Sequence, residues 1–389
     1  MRRKSFATAM VVLAAMVVSI PSAQAAGVLS PCRDAPRKPV TTGAVFNDPT
    51  GDATAIVREI CNLVHQAPRG SRIRIAHFVI SGDAGMDFAN ALIDAHRRGV
   101  DVQIVLDGWQ ADTAAVEALR ATLGTDRSRR SWLHVCTNVS PEGNTAACIG
   151  NKGQHNKFYL FSRTAGKSHV VVQSSANFTD LNSTTYWNNA VTIVGNKRLY
   201  EAYDAYFEDL AAERRTDDYF RTVTTRMPGG TVTASFFPQR TGDPIIDHLA
   251  KVRCHGETTI RVGMSEWDTY RIGIAERLVE LAQQGCQVRI VYGLMDDDVR
   301  ELLSAQSTIT LAALSDAQQL PGRIHSKYML IEGHYDGRPH ARWVFTGSPN
   351  FTMTSLRRND ETLLAINLTG VYQQYRANFA TLANAARQR

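Results

Sequence analysis

Beyond its first 27 residues the chain contains no stretch of about twenty apolar residues, the length a helix needs to cross a bilayer. A polytopic membrane enzyme is therefore disfavoured. Cys-x-x-Cys is absent, which removes the commonest thiolate zinc patterns. The "MDDDV" stretch at 295–299 lacks the glycine and distal glutamate of a calcium loop and reads as a solvated helix start. No metal and no cofactor is expected. Lysine is scarce as well: of 43 basic residues only eight are lysine. The formal net charge of +6 overstates the basicity of the mature protein, because the N-terminal segment carries Arg2, Arg3 and Lys4 and no acid. Without it 40 bases face 37 acids, a net charge of +3, which is weak support for a nucleic-acid binder.

That N-terminal segment has a basic start, an apolar run and a small-x-small exit at Ala23-Gln24-Ala25. This is the layout of a secretory signal peptide over residues 1–26, cleaved near Ala25 or Ala26, and it predicts a secreted protein. All six cysteines, at 32, 61, 136, 148, 254 and 286, lie after it. An even number in an exported chain favours disulfides, and nearest-neighbour pairing is expected: Cys32 with Cys61, Cys136 with Cys148, Cys254 with Cys286. The remaining roughly 360 residues suffice for one large or two ordinary domains with real cores.

An internal repeat organises them. "ANALIDAHRRGVDVQIVLDG" (89–108) resembles "AERLVELAQQGCQVRIVYGL" (275–294), each an amphipathic helix, a glycine stop and an apolar strand. "VVVQSSANFTD" (170–180) matches "WVFTGSPNFTM" (343–353), and in both copies a strand and an aromatic-bearing helix follow. Two pseudo-symmetric α/β halves result, each a mixed β-sheet flanked by helices, over 27–226 and 227–389, with the join at the Pro/Gly cluster of "RMPGGTVTASF".

Each half also contains one His-x-Lys opening an apolar run, "HNKFYLF" (155–161) and "HSKYMLI" (325–331). With eleven histidines and eight lysines, chance supplies about a quarter of one such match. A mirrored set of His, Lys and Asn suits a site on the pseudo-twofold axis between the halves. There His155, Lys157 and Asn177 would face His325, Lys327 and Asn350.

At these residues the chain resembles the phospholipase D superfamily, whose mark is His-x-Lys-x4-Asp followed by Gly-Ser-x-Asn, twice. Ser175 and Ser348 fall on the serine of the second element. The copies depart from the pattern at Ser162 for Asp and Ser174 for Gly in the first, and at Glu332 for Asp in the second. The resemblance implies phosphodiester cleavage without a metal: one histidine as nucleophile, the other as proton donor, with lysine charges and asparagine amides on the phosphate oxygens. It also implies an acid about eleven residues past each motif asparagine that orients a histidine. That offset gives Glu361 in the second copy and Asn188 in the first. Taken within each copy, Asn188 would back His155 and Glu361 would back His325, so that His325 holds a proton more firmly and serves as the acid while His155 attacks.

Phospholipid is the expected substrate, met by transient contact with a membrane surface through an apolar rim at Trp109, Leu294 and Met295. The alternatives are a secreted nuclease using Lys152, Arg323, Arg357 and Arg358, with Asp296 to Asp298 repelling a polyanion, and a phosphate- or lipid-binding protein that has lost catalysis. A monomer is expected.

Overall fold

The computed structural model describes residues 30–255 and 257–388; the expected signal peptide lies outside them. The first half runs β1 (Gly43–Phe46), α1 (Ala55–His65), β2 (Arg72–His77), α2 (Gly82–Arg97), β3 (Asp101–Leu106), α3 (Ala114–Leu123) and β4 (Trp132–Val135). After the short hairpin β5 (Asn138–Val139) and β6 (Ala146–Ala147) come β7 (Lys157–Thr164), β8 (Lys167–Ser174), α4 (Asp180–Thr184), β9 (Asn189–Ile193) and α5 (Lys197–Ala211). The second half opens with β10 (Arg221–Met227), β11 (Gly230–Phe236), α6 (Pro244–Leu249), β12 (Val252–Arg253), β13 (Thr259–Trp267), α7 (Ile272–Gln283) and β14 (Gln287–Met295). It ends with α8 (Asp297–Ser304), β15 (Ile309–Ala313), β16 (Lys327–Tyr335), β17 (Arg338–Gly347), α9 (Met353–Arg357), β18 (Thr362–Asn367) and α10 (Thr369–Arg387).

The repeat read from sequence becomes a repeat of sheet order. The first sheet runs β1-β9-β8-β7-β2-β3-β4, and the path β10-β11-β18-β17-β16-β13-β14-β15 in the second reproduces its last six positions. In each, the strand that follows the His-x-Lys histidine is central, antiparallel to the strand before the repeated helix. The pairs β2–β3 and β13–β14 are parallel, so each needs a crossover, supplied by α2 and α7. Both crossover helices stop at a glycine with φ near +90°, Gly99 and Gly285, where a side chain would be strained.

Apolar periodicity sets the layers. Helices α1 to α3 cover one face of the first sheet through Ile75, Phe88, Leu92 and Ile104, and α6 to α8 cover the far face of the second through Val262, Leu278 and Ile290. Between the sheets lie α5 and α10, whose Tyr203, Tyr206, Phe207, Tyr372, Tyr375 and Phe379 join strand residues of both halves in one core. Burying each such ring stabilises by about 1.5–3 kcal/mol. The halves are therefore fused by a shared aromatic layer, giving α/β/α/β/α.

The structure moves the join. Residue 226 lies inside the β10–β11 hairpin, and both of its strands belong to the second sheet. Pro228 and Gly229 turn that hairpin, and the chain crosses between halves after α5.

All three expected disulfides are present: Cys32–Cys61, Cys136–Cys148 and Cys254–Cys286. The second closes the insert carrying β5 and β6, just before His155. With a sequence separation of 12, it removes about 3 kcal/mol of loop-closure entropy from the unfolded chain. Replacing Cys136 and Cys148 together by serine should lower unfolding stability by about that amount in a denaturant titration, and non-reducing peptide mapping of the native chain should return these three pairs alone.

Candidate active site

The two histidines sit just before the central strands β7 and β16, and each lysine is the first residue of its strand. This places the side chains at the ends of the strands, at the junction of the halves. Both lysines are buried, and each ammonium donates to the carbonyl of its own motif histidine, Lys157 Nζ to His155 O at 2.7 Å and Lys327 Nζ to His325 O at 2.8 Å. Asn177 and Asn350 occupy the turns between β8 and α4 and between β17 and α9. Those turns are fixed by Thr179 and Thr352, which cap the short helices by accepting from Asn182 N and Ser355 N. His155, His325, Asn177 and Asn350 line one cleft of about 500 Å³, together with Phe78, Val79, Trp109, Tyr186, Glu266 and Arg323 among others.

The orienting partners are crossed between halves, contrary to the within-copy expectation. His155 Nδ1 lies 2.8 Å from Glu361 Oε1, and His325 Nδ1 lies 2.9 Å from Asn188 Oδ1. The reason is topological. Glu361 and Asn188 immediately precede β18 and β9, and the backbone there bridges to the other half: His155 N donates to Asp360 O at 3.0 Å and His325 N donates to Trp187 O at 2.8 Å. Each histidine is thus pinned by main chain and side chain of the opposite half.

These partners fix the tautomers. Glu361 accepts from His155 Nδ1–H. Asn188 Nδ2 donates to the carbonyl of Asn182 at 3.0 Å, which turns its Oδ1 toward His325 Nδ1 and toward Ser175, whose hydroxyl donates to it at 2.9 Å. Both Nε2 atoms are therefore left for the cleft. Rings pack on each imidazole, Phe78 at 4.9 Å from His155 and Tyr186 at 5.5 Å from His325, centroid to centroid.

Electrostatics separates the two histidines. Burial pushes the His155 pKa down, opposed by the charge of Glu361. His325 is pushed well below the ordinary value by burial and by the charges of Lys327, Arg323 and Lys157, with no carboxylate behind it. Burial lowers both lysines as well, Lys157 strongly and Lys327 to about 7. Burial would raise Glu361, but His155 and Lys157 outweigh it and hold its carboxyl below the usual range. A bound anion would favour the protonated forms of both histidines and both lysines.

Other expected residues lie elsewhere. Glu332 pairs with Arg261 and Arg342 and accepts from Tyr372 at 2.9 Å, on the sheet away from the cleft. Ser162, at the matching position, accepts from Arg72 N at 2.8 Å. Ser348 is buried and accepts from Thr362 N at 3.1 Å; like Ser175 it locks a strand end. Sequence reading missed Phe78, Tyr186, Asn182 and Glu266. Glu266 carried a signal, because it stands opposite Val79 when the repeat strands 71–80 and 258–267 are aligned. Among the described residues the two groups with metal-ligand geometry both rely on Cys148, which is tied in a disulfide.

A family model described as cardiolipin synthase, PLD-like domain, matches residues 60–211 and 249–383. No curated protein sequence matches the chain. In fold the chain is similar to phosphatidylserine synthase from Haemophilus influenzae Rd KW20, at 14% identity over 89% of this chain and 86% of that one, with a TM-score of 0.60. It is also similar to polyphosphate kinase from Porphyromonas gingivalis, at 11% identity and a TM-score of 0.56 over 88% of this chain, although it spans only 50% of that one.

The crossed geometry makes a prediction that needs no turnover. In a histidine NMR titration, Glu361→Gln should lower the pKa of His155, and Asn188→Asp should raise that of His325. A shift of His155 on Asn188→Asp, with His325 unmoved, would sink the crossed assignment.

Proposed function

The chain belongs to the phospholipase D-like family, whose superfamily cleaves or transfers phosphodiesters, and on that premise we propose a secreted phosphodiesterase of the phospholipase D type. It acts on glycerophospholipids, by hydrolysis or by transfer of the phosphatidyl group, through a phosphohistidine on His155. One observation carries this reading: two histidines with their Nε2 atoms on one cleft, each held by the opposite half, above two buried lysines.

Crossing the partners places the carboxylate behind His155, so it no longer marks His325 as the acid; the roles are assigned instead by which ring must carry a cation during attack. When His155 Nε2 attacks phosphorus, the N–P bond forms and the imidazole becomes a cation. Glu361, accepting from Nδ1–H, is the group that stabilises that cation. His325, with a neutral amide behind it, gives up a proton more readily once the bound phosphate has charged it. It protonates the leaving oxygen as the P–O bond breaks, then takes a proton from the water or alcohol that attacks the phosphohistidine. Lys157, Lys327 and the amides of Asn177 and Asn350 balance charge on the non-bridging oxygens.

Two features favour lipid over nucleic acid. Large apolar side chains are exposed at or near the mouth: Trp109 and Leu181 line the cleft, Leu294 is exposed on β14 opposite Glu266, and Leu320 is exposed in the loop before Arg323. Three of the four basic residues that would form a polyanion groove are already engaged: Lys152 and Arg358 pair with Glu142, and Arg357 donates to Gly242 O and Tyr270.

Parallel turnover of phosphatidylcholine and plasmid DNA with EDTA present tests the proposal, and lipid cleavage alone is expected. Loss of activity to EDTA would end the metal-free reading. His155→Ala should abolish the phosphoenzyme, whereas His325→Ala should still form it from a substrate whose leaving group needs no proton; an adduct on His325 would reverse the roles. Glu361→Gln should slow turnover by roughly a hundredfold and move the acidic limb of the pH–rate profile to lower pH, because the attacking imidazole then loses its proton more easily. Asn188→Asp should move the basic limb upward, because the acid then keeps its proton to higher pH.

A further inference from the structure

The phosphate-binding groups come in mirrored pairs, but the walls of the cleft do not. Where the first half presents Val79, the second presents Glu266, and both line the cleft. Glu266 helps to keep Lys327 and Lys157 charged, but on the cleft wall it also repels the anion that the lysines attract. Its neighbours do not satisfy it well. Arg323 Nη2 is 3.5 Å away and Asn350 Nδ2 is 3.4 Å away, both beyond the 2.7–2.9 Å typical of a charge-assisted bond. Its side chain is 37% exposed, open to the cleft. The ring of Tyr186 lies beneath Arg323 at 5.1 Å and packs on His325, which holds the guanidinium beside the carboxylate.

The wall is sided. Phe78, Val79, Trp109 and Leu181 of the first half are apolar or aromatic, its other wall residues, such as Asn144 and Thr179, are neutral, and the carboxylate and guanidinium, Glu266 and Arg323, come from the second. Glu266 neighbours Asn350, and Arg323 is two residues from His325, so the charged wall adjoins the histidine that protonates the leaving group.

Resting on the phosphodiesterase reading above, we propose that Glu266 is a specificity-determining subsite for an ammonium group on the leaving alcohol. The cationic end of the substrate then lies against the second half, and the retained apolar part lies against Trp109 and Leu181. A primary ammonium two carbons from the ester oxygen recovers the carboxylate's desolvation through a charge-assisted hydrogen bond, which a glycerol hydroxyl does only in part.

Two readouts test it. The first is the ratio of kcat/KM for short-chain phosphatidylethanolamine to that for phosphatidylglycerol with the same acyl chains. Glu266→Gln, and Glu266→Val, which copies the first half, should each lower this ratio about ten- to a hundredfold, with Glu266→Asp restoring part of it. A merely structural role would depress both substrates together and leave the ratio unchanged, which would overturn the proposal. The second readout needs no turnover. Calorimetry should show wild-type protein binding phosphoethanolamine more tightly than glycerol phosphate, and Glu266→Gln abolishing the difference. If that preference is found but no phosphodiester is cleaved, the catalytic reading fails while the subsite stands. If cleavage occurs and neither ratio responds to Glu266, the subsite falls alone.

Discussion

The constraint on which the site depends is reciprocity. Glu361 of the second half orients His155 of the first, and Asn188 of the first orients His325 of the second. A histidine ring held by one hydrogen bond still rotates about χ1 and χ2. Here each ring is fixed by an Nδ1 partner, by a main-chain bond from its own N–H, and by an aromatic ring packed against it. Because partner and main-chain acceptor come from the opposite half, any slippage of one half against the other misaligns both histidines together.

A layer of polar contacts behind the cleft holds the halves in that relation. Asn156 bonds Tyr206 and Thr362, and Asn189 bonds Tyr375, Thr346 and the N–H of Lys327. Each network links a strand end in one half to a helix in the shared layer. The insert adds a clamp on one side only. The carboxylate of Asp360 is buried and accepts from the backbone N–H groups of Cys148, Ile149 and Gly150, at 2.7, 3.1 and 2.6 Å. Burial nevertheless pushes its carboxyl up to about 7. A residue adjacent to Glu361 is thereby held by a loop that the Cys136–Cys148 bond closes.

Much of this was legible in the sequence because it rests on short-range pattern. The paired His-x-Lys and Asn-Phe-Thr elements, the glycine stops Gly99 and Gly285 and the nearest-neighbour disulfides all fall where local spacing puts them. What escaped was set by topology. Nothing in the spacing of Asn177 and Asn188, or of Asn350 and Glu361, reveals that the chain carries each orienting residue across the axis. The cluster Pro228-Gly229 marked a turn correctly but not the domain boundary, since a hairpin turn and an interdomain link use the same residues. Glu332 sat at a motif-like offset, yet strand pairing with Arg342 and an ion pair with Arg261 decided its surroundings.

Crossing the partners within one continuous chain has a consequence for how unlike the two histidines are free to become. Two identical subunits meeting on a true twofold axis would have to place the same residue behind both rings, either two carboxylates or two amides, and the histidines would start with equal basicity. Joining the halves covalently lifts that restriction. A carboxylate can therefore stand behind one ring and an amide at position 188 behind the other, so the two imidazoles differ in their surroundings before any substrate binds.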